Sequence, residues 1–498
     1  MPVRSFRRLL LSTAILLGVI CTADGAQAQS LIDELCNASD NHPKLQAKRS
    51  SISAAGEGIG VARAGYLPTV RVTGDAGPEY VDSPTRRSTE GHRYYKGRET
   101  SGLTITQKIF DGFLTDATVD SAKATKGLAE ADYRVARQEV FGEGMGAYVE
   151  VLRFARMIQL ARESERKIAD QLNLEDERVQ KGAGIAADVL AAKQRLQVAK
   201  VRRITYERDF QVHTAVYTQT FGHAPEIAKM SDPPLPATVI PPALEAALKA
   251  AEEENPTLES AGRNVDVTGE SKRIAEAGYF PTLDLIGKAN YENDKNATLG
   301  VRRDWSLLLT ATWELFSGFK TDSQVSQATF ANVAAKDNQL YTNRVVANSV
   351  RTAWHKLNNA KETLELQDNA AVLAEEVWEA KKKQREAGKA TVQEVLDEEN
   401  AIILAQIERT QAYYNIIRHS YELLAAMGRL ELHNVEQATT LPPQLHSRVP
   451  TARSVAAAQS LADSIAQAPQ ADSDLVQTHM NDLMGQSAAP PPNRKQRR

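Results

Sequence analysis

The chain has only two cysteines among 498 residues, Cys21 and Cys36. Two thiols allow at most one bridge, which excludes a disulfide-stapled framework. Neither sign of charge is in surplus, since 60 Lys and Arg against 63 Asp and Glu leave a formal net charge of -3. That balance gives neither the basic footprint of a nucleic-acid binder nor an acidic solvating tail. The nine histidines are scattered, there is no HExxH, and no cysteines are closely paired. Acidic pairs such as Asp397 and Glu398 read as a solvated helix face, so no catalytic or metal-ligating constellation emerges. Gly142, Gly144 and Gly146 lie within a helical pattern. Gly56, Gly58 and Gly60 follow no strand, so close helix packing explains them better than a nucleotide loop. Long apolar runs are scarce too. After Gln29 nothing approaches the ~20 continuous apolar residues of a membrane helix, so if the mature chain spans a bilayer it does so with strands.

The one apolar run, Leu9 to Ile20, follows Arg4, Arg7 and Arg8 and precedes Ala26-Gln27-Ala28. This order of charged, apolar and small residues is that of a secretory signal over 1–28, with cleavage expected before Gln29. The run is too short for a membrane anchor. Ile20 before Cys21 is a poor fit to lipoprotein processing. Cleavage would leave Cys36 as the sole thiol, either a half-buried small hydrophobe in the first helix or a reactive group, with the first reading favoured.

What is present is a duplication. Ala64-Gly65-Tyr66-Leu67-Pro68-Thr69-Val70 returns as Ala277-Gly278-Tyr279-Phe280-Pro281-Thr282-Leu283, and Pro43 is answered by Pro256, both at an offset of 213. Downstream, Phe110-Asp111-Gly112-Phe113 matches Phe316-Ser317-Gly318-Phe319, Gly182 matches Gly388, and Phe221-Gly222 matches Met427-Gly428, all at an offset of 206. The change of offset is a seven-residue deletion in the second half. Loops absorb length changes and packed elements do not. The deletion therefore marks a loop, about 81–100 in the first half and 292–302 in the second. Each repeat reads as helix, strand, loop, strand, long helix, turn, helix.

Within the repeat, period-two alternation marks strands at about 69–80, 101–110, 282–291 and 303–316. Val70, Val72, Gly74 and Ala76 share a face opposite Arg71, Thr73 and Asp75, and Leu103, Ile105 and Ile109 lie opposite Thr104, Thr106 and Lys108. The offsets carry apolar face onto apolar face: Val70 onto Leu283, Leu103 onto Leu309, Ile109 onto Leu315. A one-residue slip would have inverted every side chain. Taken alone, such strands fit a soluble sandwich or a transmembrane barrel.

From 115 to 180 and from 321 to 386 proline is absent, which predicts helices of roughly 100 Å at 1.5 Å per residue. In the second of these, Val333, Leu340, Ala347 and Trp354 recur every seven residues, as do Val350, Leu357, Leu364, Ala371 and Trp378. Two seams imply neighbours on both sides, as in a ring of helices. The helical hairpins cover 112–221 and 318–428, inside repeats spanning 29–221 and 243–428. Pro225, Pro233, Pro234, Pro236, Pro241 and Pro242 mark an extended linker over 222–242. The Ala-, Gln-, Ser- and Pro-rich segment 439–498 reads as disordered.

The paired motifs Ala-Gly-Tyr-Leu/Phe-Pro and Phe-Asp/Ser-Gly, with the tip stretches 182–190 and 388–396, resemble the TolC-like outer-membrane export channel family (outer membrane efflux protein). The likeness covers about 31–430, and the region 376–430 looks most like the type I secretion branch. It implies a mixed, mostly α-helical fold in which four strands per protomer complete a trimeric transmembrane β-barrel continued by a periplasmic α-helical barrel. The expected function is a non-enzymatic exit duct for a tripartite export system serving type I protein secretion, with drug efflux as the alternative. A periplasmic coiled-coil scaffold without a pore is the rival from another class, but it leaves four amphipathic strands unused. The implied partners are two further copies, a periplasmic adaptor, an inner-membrane transporter of ABC or RND type reached through it, and outer-membrane lipid. No cofactor or nucleic acid is implied.

By the same resemblance the tips Lys181, Gly182, Ala183, Gly184 and Ala387, Gly388, Lys389, Ala390 are expected to dock the adaptor, although they also read as plain hairpin turns. Lys181, Ala183 and Gly184 depart from the more hydrophobic drug-efflux tip. Glu394-Val395-Leu396-Asp397 matches an acid-Val-Leu-acid motif at the pore entrance. Glu394 and Asp397 share a helix face and would form a cation-selecting ring, with Asp188 as the weaker first-half counterpart. The competing reading is a solvated face continued by Glu398 and Glu399. Ala390 stands where the best-known relatives carry a base.

Overall fold

The computed structural model describes residues 30–436 apart from 85–87, 89–93, 183 and 297. The expected signal segment, the tail and Ala183 lie outside the described residues. Helices α1 (Leu31–Asn41) and α2 (Pro43–Arg63) lead into strands β1 (Thr69–Val81) and β2 (Tyr94–Phe110), then helices α3 (Leu114–Gln180) and α4 (Ala186–Phe221). The second half repeats the order with α5 (Leu244–Glu254), α6 (Pro256–Glu276), β3 (Thr282–Asn293), β4 (Val301–Thr312), α7 (Lys320–Glu386) and α8 (Val392–Met427), and adds α9 (Leu432–Glu436). Helices α3 and α7 each have 67 residues, which gives each a length of about 100 Å.

The recurring motifs are the joints between sheet and helices. Tyr66 donates its hydroxyl to Asp116 and Tyr279 to Asp322 at 2.7 Å, so each Ala-Gly-Tyr is tied to the first turn of its long helix. Strand turns into helix through left-handed pairs, Gly112 (φ 70°) with Phe113 (65°) and Gly318 (66°) with Phe319 (62°). A side chain at Gly112 would also strike the Ala277 carbonyl at 2.7 Å. Phe110 against Phe113 and Phe316 against Phe319 pack edge to face at 5.3 and 5.5 Å, an arrangement that favours the aromatic quadrupoles.

The strands form one antiparallel sheet in the order β1-β2-β3-β4. Facing residues make rows. Val72, Leu103, Ala289 and Trp305 form one, and Val70, Ile105, Gly287 and Leu307 the next, both on the apolar face. Val72, Trp305, Leu307 and Leu309 are 64 to 81% exposed, so the apolar face is uncovered within the chain. The strand limits differ from the sequence reading. β2 begins earlier, at Tyr94, and shortens the first loop, while β4 stops at Thr312 and leaves Leu315 and Phe316 outside the sheet. The register also shifts between Lys108 and Phe110. Phe110, not Ile109, therefore faces Leu283, and the match of Ile109 to Leu315 on a shared apolar face fails. A bulge adds a residue that period-two reading cannot see.

Beside the sheet the helices lie in the order α2, α3, α6, α7, and further along in the order α4, α3, α8, α7. The seam Val350, Leu357, Leu364, Ala371 is buried within the chain, whereas Val333 and Leu340 of the other seam are about half exposed. The opposite edge, α4, exposes Leu190, Val198, Val201 and Ile204. Both outer helices thus present apolar stripes with no cover from the chain itself. Gly56, Gly58 and Gly60 have no neighbour within 4 Å of an added Cβ, which corrects the expectation that they serve close packing within the chain.

The core sits where the short helices surround the middle of the long ones, around Tyr148, Tyr217, Tyr421, Phe141 and Leu35. Cys36 on α1 is half-buried. The proline-rich 222–242 segment is pinned to this core by tyrosines. Tyr148 donates to the Ser231 carbonyl at 2.8 Å, Tyr421 to the Pro234 carbonyl at 2.7 Å, and Tyr414 to Asp232 at 3.0 Å. Burial pushes the Tyr148 phenol up to about 12, so it stays a donor at any physiological pH. Two repeat-related caps separate local strain from packing. Gly222 (φ 84°) has open space around it, while a Cβ on Gly428 (φ 83°) would lie 2.6 Å from Asn255 Cα and 2.8 Å from Pro256 Cδ. Gly222→Ala should cost about 1–2 kcal/mol, the left-handed penalty alone, and Gly428→Ala about 1–3 kcal/mol more through overpacking. Unfolding midpoints of the two variants check this; equal losses would contradict it.

Candidate functional site

The site is built at the far ends of the long helices, where two short turns reverse the chain. Gly182 (φ 75°) and Gly388 (φ 71°) take the left-handed conformation that closes each turn. Lys181 caps α3 through its backbone N–H, bonded to the Glu177 carbonyl at 3.0 Å. Ala387 and Gly388 donate backward to Lys383 and Arg385, and Lys389 to Gln384. Lys181, Gly182 and Lys389 are exposed, and Gly184 and Ala390 are half-exposed.

Glu394 does two jobs that its sequence motif does not announce. Thr391 caps α8 in a reciprocal box, its hydroxyl accepting the Glu394 N–H at 3.2 Å while the Glu394 carboxylate accepts from Thr391. The other carboxylate oxygen accepts from Lys381 Nζ on α7 at 2.7 Å. The lysine bond, then the threonine bonds, hold the Glu394 carboxyl below its usual range. Asp397 pairs with Arg195 of α4. The two acids therefore share a face, and each is countered by a base from a neighbouring helix, with about half of each side chain still open to solvent. Asp188, in the first turn of α4, is half-buried and has no side-chain partner among the described residues. Glu399 is not on a solvated face: it is half-buried, and desolvation raises its carboxyl.

Sequence reasoning missed the ties between the two hairpins. Glu175 of α3 is 3% exposed and accepts from Arg385 of α7 at 2.5 Å, from Gln171 at 2.9 Å and from Arg178 at 3.2 Å. Arg202 of α4 donates to Asn400 of α8 at 3.0 Å. Ala192, Val392 and Leu396 pack between these polar links, with Leu172 against them. Glu175 and Arg385 are 210 positions apart, and no local periodicity signals such a pairing. The arrangement combines exposed turns, half-open carboxylates and ionic ties between the hairpins.

The pH response of this end follows from signs. Because the Glu394 carboxyl lies below its ordinary value of 4.5, its tie is fully present above that value and is lost as pH falls through the lower folded value. Glu399 is raised from 4.5, so its ionisation costs stability above its folded value and the cost is relieved as pH falls. Amides of 387–396 should exchange faster at pH 4 than at pH 7 after correction for intrinsic rates, and Glu394→Gln should remove most of that dependence. Arg385→Met should cost about 1.5–3 kcal/mol, the range for hydrogen bonds to charged groups, read as increased local opening of 171–182.

Comparisons with known proteins bear on this geometry. The family model described as outer membrane efflux protein matches residues 35–216 and 247–429. Outer membrane efflux protein BepC of Brucella suis biovar 1 is 22% identical over 428 residues, covering 86% of this chain and 91% of the relative. Alkaline protease secretion protein AprF of Pseudomonas aeruginosa is 24% identical over 420 residues, 82% of this chain and 85% of the relative. The solved Campylobacter jejuni CmeC outer membrane channel superposes with a TM-score of 0.70 at 15% identity, over 80% of this chain and 85% of that one.

Proposed function

Since this chain belongs to the outer membrane efflux protein family, we propose that it is the exit duct of a type I protein secretion system. It is a TolC-like outer-membrane channel, a transporter and not an enzyme, with a periplasmic helical extension. Channels of this family form trimers. The observation that carries the reading is the continuity of a four-stranded sheet, apolar on one face and open at both edges, with helices of 67 residues. Four strands cannot close on themselves, and open edges are not tolerated in hydrocarbon. Further copies supply the missing neighbours, and α7 of one copy meets α2 and α4 of the next. The helices then prolong the barrel lumen into the periplasm, and the loops at the opposite end of the sheet reach the cell surface.

Two features support polypeptide cargo. A relative named for alkaline protease secretion aligns over 85% of its length, and the tips carry Lys181, Gly184 and Lys389, with Ile185 as their exposed large apolar side chain among the described residues. The tips are the docking site for the adaptor, which links the duct to an inner-membrane transporter. The half-open carboxylates of Glu394 and Asp397, repeated in each copy, favour cations at the entrance, less strongly than free carboxylates would because Lys381 and Arg195 stand beside them.

Cysteines at Lys389 and Ala390, crosslinked in cells, should capture an adaptor that co-purifies with an ABC transporter, and a strain deleted for the chain should stop exporting a polypeptide. Capture of an RND-type assembly, with polypeptide export intact and drug tolerance lost, would instead make it a drug duct.

A further inference from the structure

The polar face of the sheet carries charges that the entrance does not explain. Most cations on this face have an acid beside them. Arg98 binds Asp75 at 2.8 Å and Glu79 at 3.2 Å, and Arg302 lies 3.5 Å from Asp304. Lys96 is 3.9 Å from Asp294. Arg71 on β1, Lys108 on β2 and Lys288 on β3 are exposed, and none makes a side-chain ion pair or hydrogen bond among the described residues. Lys108 faces Asp284 across the register, whereas Arg71 and Lys288 face no acid.

Register puts them on one row, because Arg71 faces Thr104, Thr104 faces Lys288, and Lys288 faces Ser306. No acid lies on that row. In one direction the next row of this face is Thr73, Gly102, Asn290 and Asp304, and Asp304 is engaged by the Asn290 amide at 3.0 Å. In the other direction it is Thr69, Thr106, Ile286 and Leu308, with no charge. Beyond that, Asp284 sits between Lys108 and Thr310. Arg71 is flanked on its face by Thr69, Thr73 and Thr104, and Lys288 by Thr104, Ser306, Ile286 and Asn290, all shorter than the cations, and both cations are exposed.

We propose that Arg71 and Lys288 form a cationic collar inside the barrel that binds multivalent anions, of the phosphate- or sulfate-ester class, in the lumen. This rests on the channel reading above. When the apolar face meets lipid the polar face lines the lumen, and three-fold symmetry repeats each cation three times at its own height. Strands about 4.8 Å apart place the two cations of one protomer roughly 10 Å from each other, close to a Debye length at physiological salt. A compact polyanion can therefore engage several at once, whereas a monovalent anion meets them singly. The collar opposes the acidic entrance in sign, so the two ends of the duct discriminate between solutes in opposite senses.

Arginine keeps its charge under all working conditions, and its planar fork suits phosphate and sulfate oxygens. Lysine adds a point charge.

The test is block of single channels in planar bilayers by inositol hexakisphosphate added on the extracellular side. The wild-type chain should be blocked, with block weakening as KCl is raised. The Arg71→Gln/Lys288→Gln pair, which leaves neutral polar side chains in the lumen and should assemble normally by native gel, should need at least tenfold more polyanion for half block. Arg71→Lys should retain block within about threefold, and Lys108→Gln should change it by less than threefold. Conducting, assembled double-variant channels blocked at the wild-type concentration would overturn the collar and leave the channel reading standing. Absence of any conducting unit in the wild type would remove both.

Discussion

A strand edge presents unpaired N–H and C=O groups, and in hydrocarbon nothing but another strand can satisfy them. The sheet of this chain has two such edges, on β1 and β4, and one uncovered apolar face. The rest of the structure follows from that constraint. The strands must be completed by copies of themselves, the copies must stand side by side, and the helices leaving the sheet must then form a ring of the same order. The exposed stripes on α4 and α7 are the helical counterpart of the open strand edges. Sheet and helices each remain unfinished in one chain, at the same two sides.

The joints carry this geometry from one layer to the other. Tyr66 to Asp116 and Tyr279 to Asp322 fix the strands relative to the first turns of the long helices, and the left-handed pairs at Gly112 and Gly318 set the turn between them. At the other end the ties are ionic and reach across hairpins, from Glu175 to Arg385 and from Asp397 to Arg195. A buried carboxylate such as Glu175 is costly unless held by several donors, and it has three. The contact between the two hairpins of the chain is thereby specified largely by charge at this end, while the middle of the molecule is specified by apolar packing and the tyrosine-pinned strap.

Much of this was legible in the residues. Fixed offsets exposed the duplication, the absence of proline marked the long helices, and alternation marked the strands with their apolar faces. What escaped had physical reasons. The bulge before Phe110 adds a residue without changing composition, and Trp313-Glu314-Leu315 continues the alternation past the point where β4 loses its partner. Proline density marked 222–242 as an extended linker, but sequence does not show the tyrosines that hold it to the core. For Glu394 and Asp397 the motif placed both acids on one face, but their bases lie 13 positions away for Lys381 and on another hairpin for Arg195. Long-range ion pairs leave no periodic trace.

Amide hydrogen exchange of the protein in lipid vesicles tests the central constraint most directly, because it reads the strand edges themselves. If copies close the barrel, the outward amides of β1 and β4 exchange as slowly as those of β2 and β3, which are paired on both sides within the chain. If the sheet stays open, the edge amides exchange orders of magnitude faster than the central ones, and the account of a closed, membrane-spanning duct is wrong.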